Sequence, residues 1–80
     1  MAEKKINGFT VWSAARQNGD SPARAEVETK PVDGSREART FTVITEHTFR
    51  TVIEAKRIAD SAVENITYVS RDGVPSPLTY

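Results

Sequence analysis

His47 is the only histidine among the 80 residues, and histidine is the side chain that most often transfers protons near neutral pH. Catalysis would also require a nucleophile and an orienting partner, and a metal site would require further ligands. Neighbouring Glu46 and nearby Thr48 do not form a known motif such as His-x-x-x-His. We therefore predict no catalytic residue and no metal site at His47.

Other residue types that could do chemistry also lack the necessary arrangement. No serine lies in a Gly-x-Ser-x-Gly motif, the four glycines do not form a phosphate-binding loop, and cysteine is absent. Glu26 and Glu28 could form a carboxylate pair, but their alternation with Ala25 and Val27 is typical of the solvent-exposed side of a strand. We predict a protein that is not an enzyme and that needs no cofactor.

Nucleic-acid binding is an alternative, because arginines cluster near the predicted strand ends and two aromatic residues could stack on bases. Eleven basic and eleven acidic residues nevertheless cancel, and a double-stranded-RNA reader would carry a basic run where this sequence has Glu54. The residues in question are Arg16, Arg24, Arg36 and Arg39, with Trp12 and Tyr68.

Three segments alternate between apolar and polar residues, which predicts three antiparallel strands at residues 9–16, 23–29 and 39–45. Residues 17–22 and 31–35 are rich in turn formers and predict the connections. The apolar faces carry Phe9 and Val11 on the first strand, Val27 on the second, and Phe41 and Val43 on the third.

After the strands, the apolar period changes from 2 to 3.6, which predicts a helix from Thr51 to about residue 66. Thr51 and Glu54 have the spacing of a capping box. The apolar stripe is mostly alanine, so the helix can approach the sheet closely. Its members are Val52, Ala55, Ile58, Ala59, Ala62, Val63 and Ile66. The charged residues of the helix are predicted to face solvent, and these are Glu54, Lys56, Arg57, Asp60 and Glu64.

These elements predict one α+β domain spanning residues 1–80, in which a three-stranded antiparallel meander packs on one α-helix (β-β-β-α). The pattern also allows a short fourth strand at residues 66–69. Residues 74–80 contain two prolines and are expected to form an extended tail. No apolar stretch approaches the roughly 18 residues of a membrane span, and the lack of cysteine suits a reducing compartment, so we predict a cytoplasmic protein without membrane contact.

The order of elements resembles the HicB-like family of small bacterial domains, and its outline is similar to half-RNase-H and double-stranded-RNA-binding domains. The resemblance implies a β-β-β-α fold, oligomeric assembly and an antitoxin role in which a small toxin is neutralised. The residues that carry it are Gly8 and Phe9, Phe41, residues 48–51, Glu54, Ala55 and Ala59.

Trp12 and Ile44 fall on the sheet face opposite the predicted helix, together with Thr10 and Thr42. One helix covers only one face, so two alternatives remain: the N-terminal segment or the tail folds across Trp12, or this face is an interface. An open edge at the second or third predicted strand offers another route to self-association. Our hypothesis is a bacterial-type module that binds a protein partner or itself.

Overall fold

The computed structural model describes residues 3–43 and 48–79, and the following elements lie within them. The strands are β1 (Glu3–Ile6), β2 (Phe9–Arg16), β3 (Arg24–Pro31), β4 (Arg39–Thr42), β5 (Tyr68–Val69) and β6 (Pro75–Ser76), and the helix is α1 (Val52–Asn65). The first four strands form one antiparallel sheet in the order β1-β2-β3-β4, and β5 pairs with β6 separately. The predicted α+β class is confirmed.

The sheet has four strands rather than the predicted three, because β1 pairs with β2 ahead of the predicted meander. Asn7 and Gly8 join the two strands with φ of 51° and 83°, as a two-residue Asn-Gly hairpin turn requires. Three of the four β1 residues are charged, so this edge strand shows no apolar alternation. Lys4 tethers β1 to the helix, since its Nζ donates to the carbonyl of Glu64 at 2.9 Å.

The short strand predicted at residues 66–69 corresponds to β5, but it pairs with β6 and not with the main sheet. The predicted extended tail supplies β6, and Leu78 packs against the hydrophobic core. The second predicted strand ends two residues later than expected, at Pro31 of β3. Pro31 pairs with Phe9 but lies beyond Thr29, the last residue paired with β4, so its missing N–H costs little.

The helix is confirmed to within a residue at its C-terminal end. The hydroxyl of Thr51 accepts from the N–H of Glu54 at 3.2 Å, as expected for an N-cap. The Glu54 carboxylate accepts from the N–H of Arg50 at 3.3 Å, one residue before the donor used in a standard capping box. Ile66 caps the other end, and its N–H donates to the carbonyls of Ala62 and Val63.

The core lies between α1 and the inner face of the sheet, which we define as the face that α1 covers. Ala55, Ala59 and Ala62 are fully buried, and these small residues bring the helix axis close to β2 and β3. Val52 is 41% exposed, so the expectation that it belongs to the buried stripe is wrong. The larger buried residues are Phe9, Val11, Val27, Val43, Phe49, Val63, Ile66 and Val69.

Replacing Thr51 with alanine is expected to lower the free energy of unfolding by about 1 kcal/mol, because the N–H of Glu54 loses its acceptor. Urea denaturation followed by circular dichroism measures this change. Ser61→Ala is the matched control, since Ser61 is exposed in the middle of the same helix. An equal loss of stability in both variants would contradict the capping role.

Candidate protein interface

The outer face of the sheet, opposite α1, is formed by alternate residues of β1 to β4. Among the described residues, α1 and the β5-β6 pair both lie on the inner side, where Val69 and Pro75 are buried. The outer face therefore contains mainly polar and charged side chains around one tryptophan. These residues are Glu3, Lys5, Thr10, Trp12, Ala14, Arg16, Arg24, Glu26, Glu28, Lys30, Thr40 and Thr42.

Trp12 lies near the middle of this face and is partly exposed. Its indole Nε1 donates to Glu28 Oε2 at 2.9 Å, and the Thr40 hydroxyl donates to Glu28 Oε1 at 3.2 Å. Glu3 on β1 and Glu28 on β3 are the residues directly opposite Trp12 on the two neighbouring strands. The indole is thus oriented by a hydrogen bond and has a glutamate on each side.

A shallow depression of about 450 Å³ adjoins Trp12 on the side of Lys5 and Lys30. Thr10 lines the depression, and so does Val32 from the loop that follows β3. The depression is open to solvent and combines apolar, basic and acidic groups. This composition fits the polar margin of a protein interface better than an enclosed small-molecule site.

Glu26 lies on the same face but is only 7% exposed. Arg16 Nε lies 3.5 Å from Glu26 Oε1, so the carboxylate has a charged neighbour. Within the described part of the chain, Oε1 accepts no hydrogen bond. A buried carboxylate oxygen without a donor is costly, and it retains the capacity to accept one.

The predicted interface residues Thr10, Trp12 and Thr42 do lie on one face, whereas Ile44 lies outside the described residues. Neither segment considered as a cover lies across Trp12 in the described chain: β1 pairs beside β2, and Leu78 packs on the core. Within the described residues, the sheet edges are β1 and β4, so the third predicted strand is an edge strand and the second is not.

The four arginines considered for nucleic-acid contact separate into two pairs. Arg16 and Arg24 are opposite each other at one end of the sheet. Arg36 and Arg39 lie at the other end, where they donate to the carbonyls of Arg71 and Asp72, each at 2.8 Å. The position opposite Arg39 is Thr29, which lies five residue steps from Arg24, or about 17 Å along β3. Within the described residues, Glu26 and Glu28 lie between the two pairs, so no continuous basic surface joins them.

The second pair of arginines also packs on aromatic rings. The Arg36 guanidinium lies 5.8 Å from the ring centre of Phe9, and that of Arg39 lies 5.3 Å from the ring centre of Phe41. Nearby, the N–H of Ser35 donates to Asp33 and lowers the pKa of that exposed carboxyl, with a smaller contribution from Arg36. These contacts indicate that Arg36 and Arg39 stabilise the loop that follows β3 and attach it to the turn between β5 and β6.

The other candidate chemistry is not assembled in the described chain. Tyr68 lies on the separate β5-β6 pair, so it forms no common stacking surface with Trp12. His47 lies outside the described residues, and within residues 3–43 and 48–79 no three His, Cys, Asp or Glu side chains could hold a metal ion. The same residues include no helix that is long and apolar enough to cross a membrane.

A partly buried polar cluster joins α1 to β2, contrary to the expectation that Lys56 and Asp60 face only solvent. The Ser13 hydroxyl donates to Asp60, and Lys56 Nζ donates to both the hydroxyl and the carbonyl of Ser13. Serine beside lysine can form a nucleophile and base, but Ser13 is only 4% exposed. We assign the cluster to helix-sheet attachment. Ser13 occupies a position of β2 at which the alternation predicts an inward-facing apolar residue. This position was the sequence signal that its side chain is buried.

Comparison with protein-family models, with curated proteins and with solved structures finds no match for this chain.

Proposed function

We propose that the chain is a non-enzymatic cytoplasmic module that binds another protein, or a second copy of itself, through the outer face around Trp12. The observation that carries the proposal is a partly exposed tryptophan in the middle of a sheet face that no described element covers. Tryptophan is enriched among the residues that dominate binding energy at protein interfaces.

The surroundings of Trp12 support the same function. Its hydrogen bond to Glu28 limits rotation of the indole, so less conformational entropy is lost when a partner binds. Threonines at positions 10, 40 and 42 provide hydroxyl groups next to the charged residues. An apolar centre with a polar margin is the usual composition of a non-obligate interface.

The test compares wild-type protein with Trp12→Ser by sedimentation velocity over a range of concentrations and by affinity capture from a bacterial lysate. We expect the substitution to weaken self-association or partner capture by about tenfold or more, as is typical when a tryptophan is removed from an interface centre. Tyr68→Ser is the matched control, because Tyr68 is 53% exposed on a different surface.

Circular dichroism must show that both variants remain folded. The proposal fails if folded Trp12→Ser protein sediments and captures partners as the wild type does. It also fails if Tyr68→Ser has the same effect, because the loss would then not be specific to the outer face.

Nucleic-acid binding has less support. Arg16 and Arg24 are exposed together, but Arg36 and Arg39 use their guanidinium groups on backbone carbonyls at the opposite end. Glu26 and Glu28 lie between these ends on the outer face and would repel phosphate groups. The HicB-like resemblance agrees with a protein-binding role, and its antitoxin function rests on that resemblance alone.

A further inference from the structure

The charges of the outer face follow the strand register in four cross-strand rows. The lysine row is Lys5, Thr10 and Lys30; the tryptophan row is Glu3, Trp12, Glu28 and Thr40; the Glu26 row is Ala14, Glu26 and Thr42; and the arginine row is Arg16 and Arg24. Successive rows lie about 7 Å apart, since each is two residues further along a strand. Along the strands, the order of charge is therefore basic, acidic, acidic, basic.

This order disfavours a centred face-to-face pair of identical chains. The order of charge reads the same from either end of the strands. If two copies pair face to face about a two-fold axis that lies between them, parallel or perpendicular to the strands, each row therefore lies opposite a row of the same charge. Glutamates would then face glutamates, and lysines would face lysines or arginines. Like charges brought together in an interface disfavour association.

We infer that the outer face binds an extended segment of a different protein, whose exposed side chains follow the order acidic, basic, basic, acidic at two-residue spacing. This inference rests on the proposed function and specifies its partner. A strand laid along β2 and β3 would place its two basic residues over the tryptophan and Glu26 rows. Its two acidic residues would then contact the lysine and arginine rows.

The tryptophan row provides the most specific contact. A guanidinium above the indole of Trp12 would gain a cation–π interaction and would lie between the carboxylates of Glu3 and Glu28. Both oxygens of Glu28 already accept a hydrogen bond from an uncharged group, the Trp12 indole or the Thr40 hydroxyl. These bonds fix the position of the carboxylate and leave its negative charge without a counter-charge. Arginine fits this row better than lysine, because its planar guanidinium can stack on the indole and donate hydrogen bonds to the carboxylates on either side.

The Glu26 row provides the second basic contact. Glu26 Oε1 accepts no hydrogen bond from the described residues, and Arg16, its charged neighbour, has a side chain that is 60% exposed. That oxygen is buried and lies 3.5 Å from Arg16 Nε, so a partner's guanidinium could donate to it only after Arg16 turns towards an acidic residue of the partner. The negative charge of Glu26 and its place in the order of rows therefore indicate a basic residue of the partner at this position.

The experiment uses two backbone-cyclised β-hairpin peptides as probes. One presents Glu-Thr-Arg-Thr-Arg-Thr-Glu on its displayed strand, and the other presents Arg-Thr-Glu-Thr-Glu-Thr-Arg. Their composition and zero net charge are identical, so only the order of charge differs. Trp12 is the only tryptophan of the chain, and its fluorescence reports on binding at the site.

We expect the acidic-basic-basic-acidic hairpin to bind with a dissociation constant about tenfold lower than that of the inverted hairpin. This preference should disappear in about 1 M salt, where screening acts over roughly 3 Å. Glu3→Gln should reduce it by about threefold, since the variant removes one carboxylate from the tryptophan row.

Equal binding of the two hairpins, or no binding of either at millimolar concentration, would overturn the inference. A single-stranded oligonucleotide that binds at Trp12 more tightly than both hairpins would also overturn it. Self-association or partner capture that depends on Trp12 but shows no preference for charge order would leave the proposed function intact and remove only this inference.

Discussion

Replacing Ile66 with alanine is expected to lower the free energy of unfolding by about 2–5 kcal/mol, the usual cost of emptying a fully buried aliphatic site. Ile66 is 1% exposed and ends the helix inside the core. A domain of this size is typically stable by about 5–10 kcal/mol, so the variant should lose a large share of its stability. Urea denaturation followed by circular dichroism measures the change.

Ile53→Ala provides a control with the same chemical change in the same helix. Ile53 is 68% exposed, and surface truncations of this kind usually change stability by less than about 0.5 kcal/mol. Similar losses in the two variants would contradict the placement of the core between α1 and the inner face.

The helix and the three strands of the meander could be predicted because their signals are local. The cap at Thr51 and the spacing of the alanines identify α1 without knowledge of any distant contact. Alternation in β2 and β3 also places Val11 and Val27 on one face and Trp12 on the other. For these elements, residue type and spacing were sufficient.

The missed elements, β1 and β6, lack the alternation of apolar and polar residues on which the other strands were predicted. Charged β1 forms a strand because the Asn7-Gly8 turn aligns it with β2 and because Lys4 reaches the last turn of the helix. In β6, Pro75 is buried beside Val69, although proline is uncommon in strands. Asn7-Gly8 is a local hairpin signal. The contact of Lys4 with the helix and the pairing of β6 with β5, in contrast, leave no pattern in their own segments.

The candidate site could be predicted only in part, because its position follows from alternation while its charge order follows from register. Sequence alternation places Trp12 on the outer face. Only the pairing shows that Glu3 and Glu28 lie on either side of it, or that Lys5 and Lys30 share a row. A slip of one residue between strands would move these charges to the inner face.

The two faces also differ in what they require of a side chain. The inner face contains the large apolar residues and the close approach of α1, so substitutions there change folding first. Apart from Glu26, the outer-face residues are partly or fully exposed. Substitutions such as Trp12→Ser and Glu3→Gln can therefore test binding in a folded protein.

Replacing Gly73 with alanine is expected to destabilise the fold by about 2–4 kcal/mol, through backbone strain together with crowding. Gly73 has φ of 85°, a conformation that residues with a β-carbon rarely adopt. An added β-carbon would lie 3.1 Å from Phe9 Cε2 and 3.4 Å from Thr29 Oγ1. It would also disturb the buried hydrogen bond in which the Thr29 hydroxyl donates to the Gly73 carbonyl at 2.7 Å.

Gly8→Ala separates the two causes, because Gly8 has φ of 83° but no neighbouring atom within 4 Å of an added β-carbon. Its expected cost is the backbone strain alone, about 1–2 kcal/mol. Thermal and urea denaturation of both variants give the difference, which measures how tightly the turn between β5 and β6 packs on Phe9 and Thr29. If Gly73→Ala costs no more than Gly8→Ala, that turn does not pack closely on the inner face, and β5-β6 is only loosely attached to the sheet.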